Sequence, residues 1–80
     1  MVNRILRLPE VKARTGMSRS TIYLRIADRL FSRPISLGPR MVGWIESEVD
    51  ALIAARIRGA SDDELRAVVV KLEAARKNAA

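Results

Sequence analysis

An 80-residue chain with a net charge of +6, no cysteine and no histidine is narrowly bounded in what it can do. It has room for one modest core and no separate catalytic domain, and it lacks disulfides, thiolate metal ligands and imidazole acid–base chemistry. A hydrophobic share of 49% is enough to fold rather than remain disordered. The excess charge is confined to one half: residues 1–45 hold nine Lys/Arg against two acids, whereas residues 46–80 hold six against seven. A one-sided basic footprint fits a polyanion partner. Apolar runs such as Met41 to Ile45 are too short to span a bilayer, and Met1-Val2-Asn3-Arg4 shows no signal-peptide pattern. A soluble, cytoplasmic protein without cofactor or metal is expected.

In chain order, Arg4 to Leu8 fits a short strand added to a small sheet. Pro9 suits a first helical position and Glu10 the positive helix start, giving a short helix from Pro9 to Arg14 that buries Leu8 and Val11. Thr15-Gly16-Met17 makes a turn, with Met17 in the core. Ser18 is a favoured N-cap for a second helix from Arg19 to about Asp28. At about 100° per residue, Ile22 and Ile26 share an inward face, and Ser20, Leu24 and Ala27 lie nearly opposite. Tyr23 and Thr21 lie on the two flanks. An outward face of small polar and apolar groups suits the floor of a major groove, where hydroxyls meet bases and apolar groups meet thymine methyls.

Residues 31–44 read as a β-hairpin with its turn at Gly38-Pro39-Arg40. Arg33 and Arg40 flank it, and Trp44 is assigned to the core. Ser47-x-x-Asp50 resembles a capping box and opens a third helix ending near Gly59, with Val49, Leu52, Ile53 and Ile57 on its core stripe. Ser61-x-x-Glu64 opens a fourth, with Leu65, Val68, Val69 and Leu72 on one face and Lys71, Glu73 and Arg76 facing solvent. This helix either closes the core or pairs with another protomer. The expected fold is mainly α with a small β-hairpin: a winged helix-turn-helix over residues 1–59 and an extra C-terminal amphipathic helix over 60–80.

The blocks Arg4-Ile5-Leu6-Arg7-Leu8-Pro9-Glu10-Val11 and Thr15-Gly16-Met17-Ser18-Arg19-Ser20-Thr21-Ile22-Tyr23, with Leu37-Gly38-Pro39-Arg40, Val42-Gly43-Trp44 and Ser47-Glu48-Val49-Asp50, carry a family likeness. Together they resemble the AlpA family of phage and prophage regulators, within the excisionase-like and MerR-like winged-helix group. The resemblance implies DNA binding as a transcriptional regulator or as a recombination directionality factor of a mobile element. It carries family DNA contacts onto Arg19, Ser20, Thr21 and Tyr23 of the second helix and onto Arg33 and Arg40 of the wing. Two positions depart from the family pattern: Arg29 stands where glycine is usual, and Ser32 where proline is usual.

The leading expectation is sequence-specific binding of double-stranded DNA. Ser20, Leu24 and Arg19 would read bases, and Thr21, Tyr23, Arg25, Arg33 and Arg40 would engage phosphates. A module this small covers about 600–1,000 Å² of DNA interface, so a dimer or a cooperative array is expected. The alternatives are an excisionase that bends attachment-site DNA and recruits an integrase, and a protein-interaction module acting through the fourth helix. An enzyme is not expected: the acids gather at helix starts, in Glu46-Ser47-Glu48 and Asp62-Asp63-Glu64, where they complement the helix dipole.

Overall fold

The computed structural model describes residues 4–78, so the opening Met1-Val2-Asn3 lies outside them. Its elements are β1 (Ile5–Leu6), α1 (Leu8–Thr15), α2 (Arg19–Ala27), β2 (Ile35–Gly38), β3 (Met41–Ile45), α3 (Glu46–Ile57) and α4 (Asp62–Ala75), followed by a 3-10 turn over Arg76–Asn78. The strand order is β1-β3-β2, and both pairings are antiparallel. This is the mainly helical, winged helix-turn-helix arrangement that the sequence predicts.

Local chemistry sets the boundaries of the helix-turn-helix. The Glu10 carboxylate reaches back to accept the Arg7 backbone N–H at 3.2 Å, and Pro9 occupies the first turn, where no donor is missed. α1 stops at Gly16, whose φ of 72° places it in the left-handed region and whose N–H donates to the Lys12 carbonyl. Ser18 then caps α2 by accepting the Thr21 N–H at 3.2 Å. At the other end of α2, the Leu30 N–H closes back on the Arg25 carbonyl at 2.8 Å. Arg29 is thereby held at φ 61°, in the left-handed position that glycine ordinarily fills after a helix.

The hairpin turns through Pro39 and Arg40, and Arg40 is likewise left-handed, with φ 58°. Ser36 opposes Val42 and Gly38 opposes Met41, so Leu37 is an extra residue that bulges β2. At the centre of the sheet only glycine fits position 43. A Cβ there would lie 2.5 Å from Ile5 Cγ2 and 3.2 Å from the Leu6 carbonyl oxygen.

Leu6, Val11, Ile22, Phe31, Trp44, Val49, Leu52, Leu65 and Val69 belong to one core that draws on strands, loop and all four helices, with Met17 and Leu72 packed against it. Trp44 is fully enclosed and donates its Nε1–H to the Ser32 carbonyl at 3.2 Å.

Three expectations need correction. Ser47 is not the N-cap of α3: β3 runs directly into the helix, which begins at Glu46 with Ile45 in the capping position. The Glu46 N–H is satisfied by the Arg4 carbonyl at 2.8 Å, so a main-chain acceptor from beside β1 replaces the side-chain cap. Ile57 does not join the core stripe and is 81% exposed. It lies two residues beyond buried Ala55, about 200° further round the helix. Glu73 and Arg76 do not simply face solvent either. Both are half-buried and engaged with other elements, Glu73 with Arg33 and Arg76 with Glu48.

Candidate nucleic-acid interface

The inward side of α2 is fixed by Ile22, fully buried, and Ile26, packed at the core edge. The opposite side is therefore presented outward: Ser20 and Ala27 are exposed, and Leu24 is 62% exposed. A leucine left this open beside a serine and an alanine forms a low ridge with little charge.

The flank toward the sheet is built by stacking. The Arg19 guanidinium lies 5.2 Å from the Tyr23 ring centroid, and the Tyr23 ring meets Trp44 edge-on at 6.2 Å. Trp44 belongs to β3, so this stack joins the first turn of α2 to the central strand of the sheet. It holds a positive charge at the helix start without an acid: Arg19 enters no salt bridge among the described residues.

The remaining sequence-selected residues are placed differently from one another. The Thr21 hydroxyl accepts from Ser18 Oγ at 3.0 Å and so serves the cap of its own helix. Arg25 is half-buried, with its Nε enclosed and without a partner, and lines a shallow hollow with Arg56, Ala60, Asp62 and Leu65. It faces α3 and α4 rather than the outer ridge. Arg33 pairs with Glu73 at 3.3 Å, although its side chain remains 71% exposed. Arg40 stands at the hairpin tip, exposed and outside any salt bridge among the described residues. Leu37, Met41 and Val42 are exposed apolar groups of the same hairpin.

Some charges elsewhere are neutralised. Arg14 bridges Glu46 at 2.7 Å and Asp50 at 3.2 Å, and Arg4 meets Glu10 at 3.1 Å. Arginines outside any salt bridge among the described residues are Arg7, Arg19, Arg25, Arg29, Arg40, Arg56 and Arg58. Of these, Arg19, Arg29 and Arg40 are the exposed ones on α2, just beyond it and at the hairpin tip, and charge and spacing alone did not select Arg29. Its signal was the departure from glycine. Among the described residues no cluster of His, Cys, Asp and Glu is arranged to hold a metal, and no helix is long and apolar enough to cross a membrane. An exposed ridge with unpaired cations near it can accept a polyanion.

The family model described as prophage CP4-57 regulatory protein (AlpA) matches residues 4–57, the stretch from β1 through α3. The chain is 50% identical over 56 residues to the uncharacterized protein ORF88 of Enterobacteria phage P4, covering 70% of this chain and 64% of that protein. It therefore spans just under two thirds of the phage relative's length. It is also 43% identical over 61 residues to the DNA-binding transcriptional activator AlpA of Escherichia coli (strain K12), covering 69% of this chain and 87% of the relative. No solved structure matches the chain.

Proposed function

We propose that the chain, a member of the AlpA family of prophage regulatory proteins, is a small DNA-binding regulator that reads double-stranded DNA sequence-specifically through α2, with the β2–β3 hairpin as a wing. The observation that carries this reading is the uncharged Ser20–Leu24–Ala27 ridge beside an unpaired Arg19, with a second unpaired arginine, Arg40, at the hairpin tip.

Ser20 and Leu24 read base edges, and Arg19 reads at the start of the helix, where its stack on Tyr23 limits its freedom before binding. Arg40 engages phosphate or the minor groove, and Tyr23 and Arg33 border the same path. Thr21 and Arg25 act mainly by holding α2 in place, since the first serves the cap and the second is half-buried toward α3 and α4. β1 through α3 form the reading module, and α4 with its 3-10 turn forms a helical addition to it. The longest dimension of the protein is 34 Å, about one turn of B-DNA, so a single copy covers one short site. We infer assembly on DNA as a dimer or a cooperative row.

Footprinting on fragments flanking the encoding gene, at two salt concentrations, tests the proposal. A discrete protected site whose affinity falls steeply with salt is expected. Protection that is uniform along every fragment would remove sequence specificity. Repeated sites on bent DNA would move the role from promoter regulation to excision.

A further inference from the structure

The segment between α2 and the hairpin, residues 28–34, contains no regular structure, yet it must fix where the wing stands relative to the reading helix. Its ends are held by a part of the chain that lies beyond the family match at residue 57. At the α2 end, Arg66 Nε donates to the carbonyl of Asp28, the C-cap of the helix, at 3.1 Å. At the hairpin end, both main-chain polar groups of Arg33 are taken by side chains from the same C-terminal element. Its N–H donates to Glu73 Oε2 at 3.0 Å, and its carbonyl accepts from the Arg76 guanidinium at 2.6 Å.

These holding groups are themselves anchored. Arg76 makes a bidentate pair with Glu48 of α3, at 2.6 and 2.8 Å, and Glu48 is only 4% exposed. Glu73 accepts the Arg33 guanidinium as well as its N–H. Arg66, Glu73 and Arg76 fall along one side of the helix, at offsets of seven and ten residues, a rigid span of about 15 Å. Leu65 and Val69, on the same helix, are sunk in the core. Ser32 is fully buried; its carbonyl accepts from Trp44 Nε1–H, and its hydroxyl has no partner.

We propose that α4 and its 3-10 extension are a splint that sets the spacing between the DNA-reading helix and the wing. Arg66, Glu73 and Arg76 are positioning residues: they touch no DNA and act through the main chain at Asp28 and Arg33. The splint supplies rigidity from outside to a segment that has no regular structure of its own. The consequence for DNA binding rests on the reading of α2 and the hairpin given above.

The test uses the double variant Arg66→Ala/Glu73→Ala, which leaves the buried Glu48–Arg76 pair intact and so preserves the fold. On a labelled duplex carrying the footprinted site, Arg40→Ala should weaken binding about tenfold in the otherwise intact chain and no more than about twofold in the double variant. Arg19→Ala should cost the same in both, because α2 remains seated on the core through Ile22. A simple loss of stability would not separate these two arginines. An Arg40→Ala penalty of equal size in both chains overturns the splint.

Hydrogen exchange on the free full-length protein decides the matter without DNA. Amides of residues 30–36 should lose protection about tenfold or more in the double variant, while those of α2 keep theirs. Unchanged protection there overturns the splint. An Arg40→Ala variant that binds normally in the intact chain instead removes the wing contact, and the exchange result still rules on the splint.

Discussion

Arg19 and Tyr23 form a stacked pair one helical turn apart, the guanidinium 5.2 Å from the ring centroid, on the side of α2 that faces the hairpin strand. The pair keeps a cation ordered where no carboxylate holds it. Tyr23→Ala should therefore lower stability by about 0.5–1.5 kcal/mol through loss of the aromatic contact with Trp44. It should also weaken DNA binding without changing the salt slope, since the charge of Arg19 remains. Arg19→Ala should leave stability nearly unchanged and reduce the slope of log affinity against log salt by about one unit. Urea titration and mobility shifts at several salt concentrations separate the two.

Arg29 and Arg40 occupy left-handed backbone that costs a non-glycine residue about 1–2 kcal/mol. Replacing either by glycine relieves that cost, partly offset by the greater freedom of glycine in the unfolded chain. Arg29→Gly and Arg40→Gly should each raise stability by about 1 kcal/mol in urea titration. Arg40→Gly should at the same time weaken DNA binding, an opposition of fold and function within one residue.

The Glu48–Arg76 pair sets up a sharper test of burial. Arg76→Ala strands a carboxylate that is almost fully enclosed and should cost about 3–5 kcal/mol. Replacing both residues by methionine removes the charge together with its partner, and much of the loss should return. The Glu48 hydrogen bonds push the Arg76 pKa further up, so the guanidinium stays charged throughout the working pH range. Thermal unfolding of the single and double variants side by side measures the difference.

Glu64 gives the fold a pH dependence of its own. The Ser61 backbone N–H, with help from its hydroxyl, holds the Glu64 carboxyl below the usual carboxylate range. A carboxyl whose pKa is lower when folded stabilises the protein above its unfolded pKa, and that contribution fades as pH falls through the folded value. Stability should therefore decline in acid through this window, and Glu64→Gln should flatten that part of the profile. Urea midpoints measured across acid pH check it. An unchanged profile would rule out the reciprocal cap as its source.

The sequence discloses most of what depends on neighbours within four residues. Gly16, the Ser18 cap, the Ser61–Glu64 box, the Pro39-Arg40 turn and the inward Ile22–Ile26 pair all act over such distances, and each stands where spacing placed it. Contacts across longer separations were not legible. Glu48 and Arg76 are 28 residues apart, and Arg14 and Glu46 are 32 apart, so no local rule pairs them. The Ser47 capping box misled because the true acceptor, the Arg4 carbonyl, comes from the far end of the chain. The candidate site divides in the same way. The outward placement of Ser20 and Leu24 follows from helical period, whereas the engagement of Arg33 by Glu73 and the turn of Arg25 toward α3 and α4 depend on packing that residue type does not encode.

The two left-handed arginines also bear on how this protein can change. Every arginine codon can become a glycine codon by a single base substitution. The relaxed backbone at positions 29 and 40 is therefore within reach of any replicating population, and it would make a sturdier protein. What that step forfeits is a positive charge at the end of the reading helix or at the tip of the hairpin. A lineage selected only for robustness should drift to glycine at both positions, and one selected for grip on DNA should keep arginine at least at the hairpin.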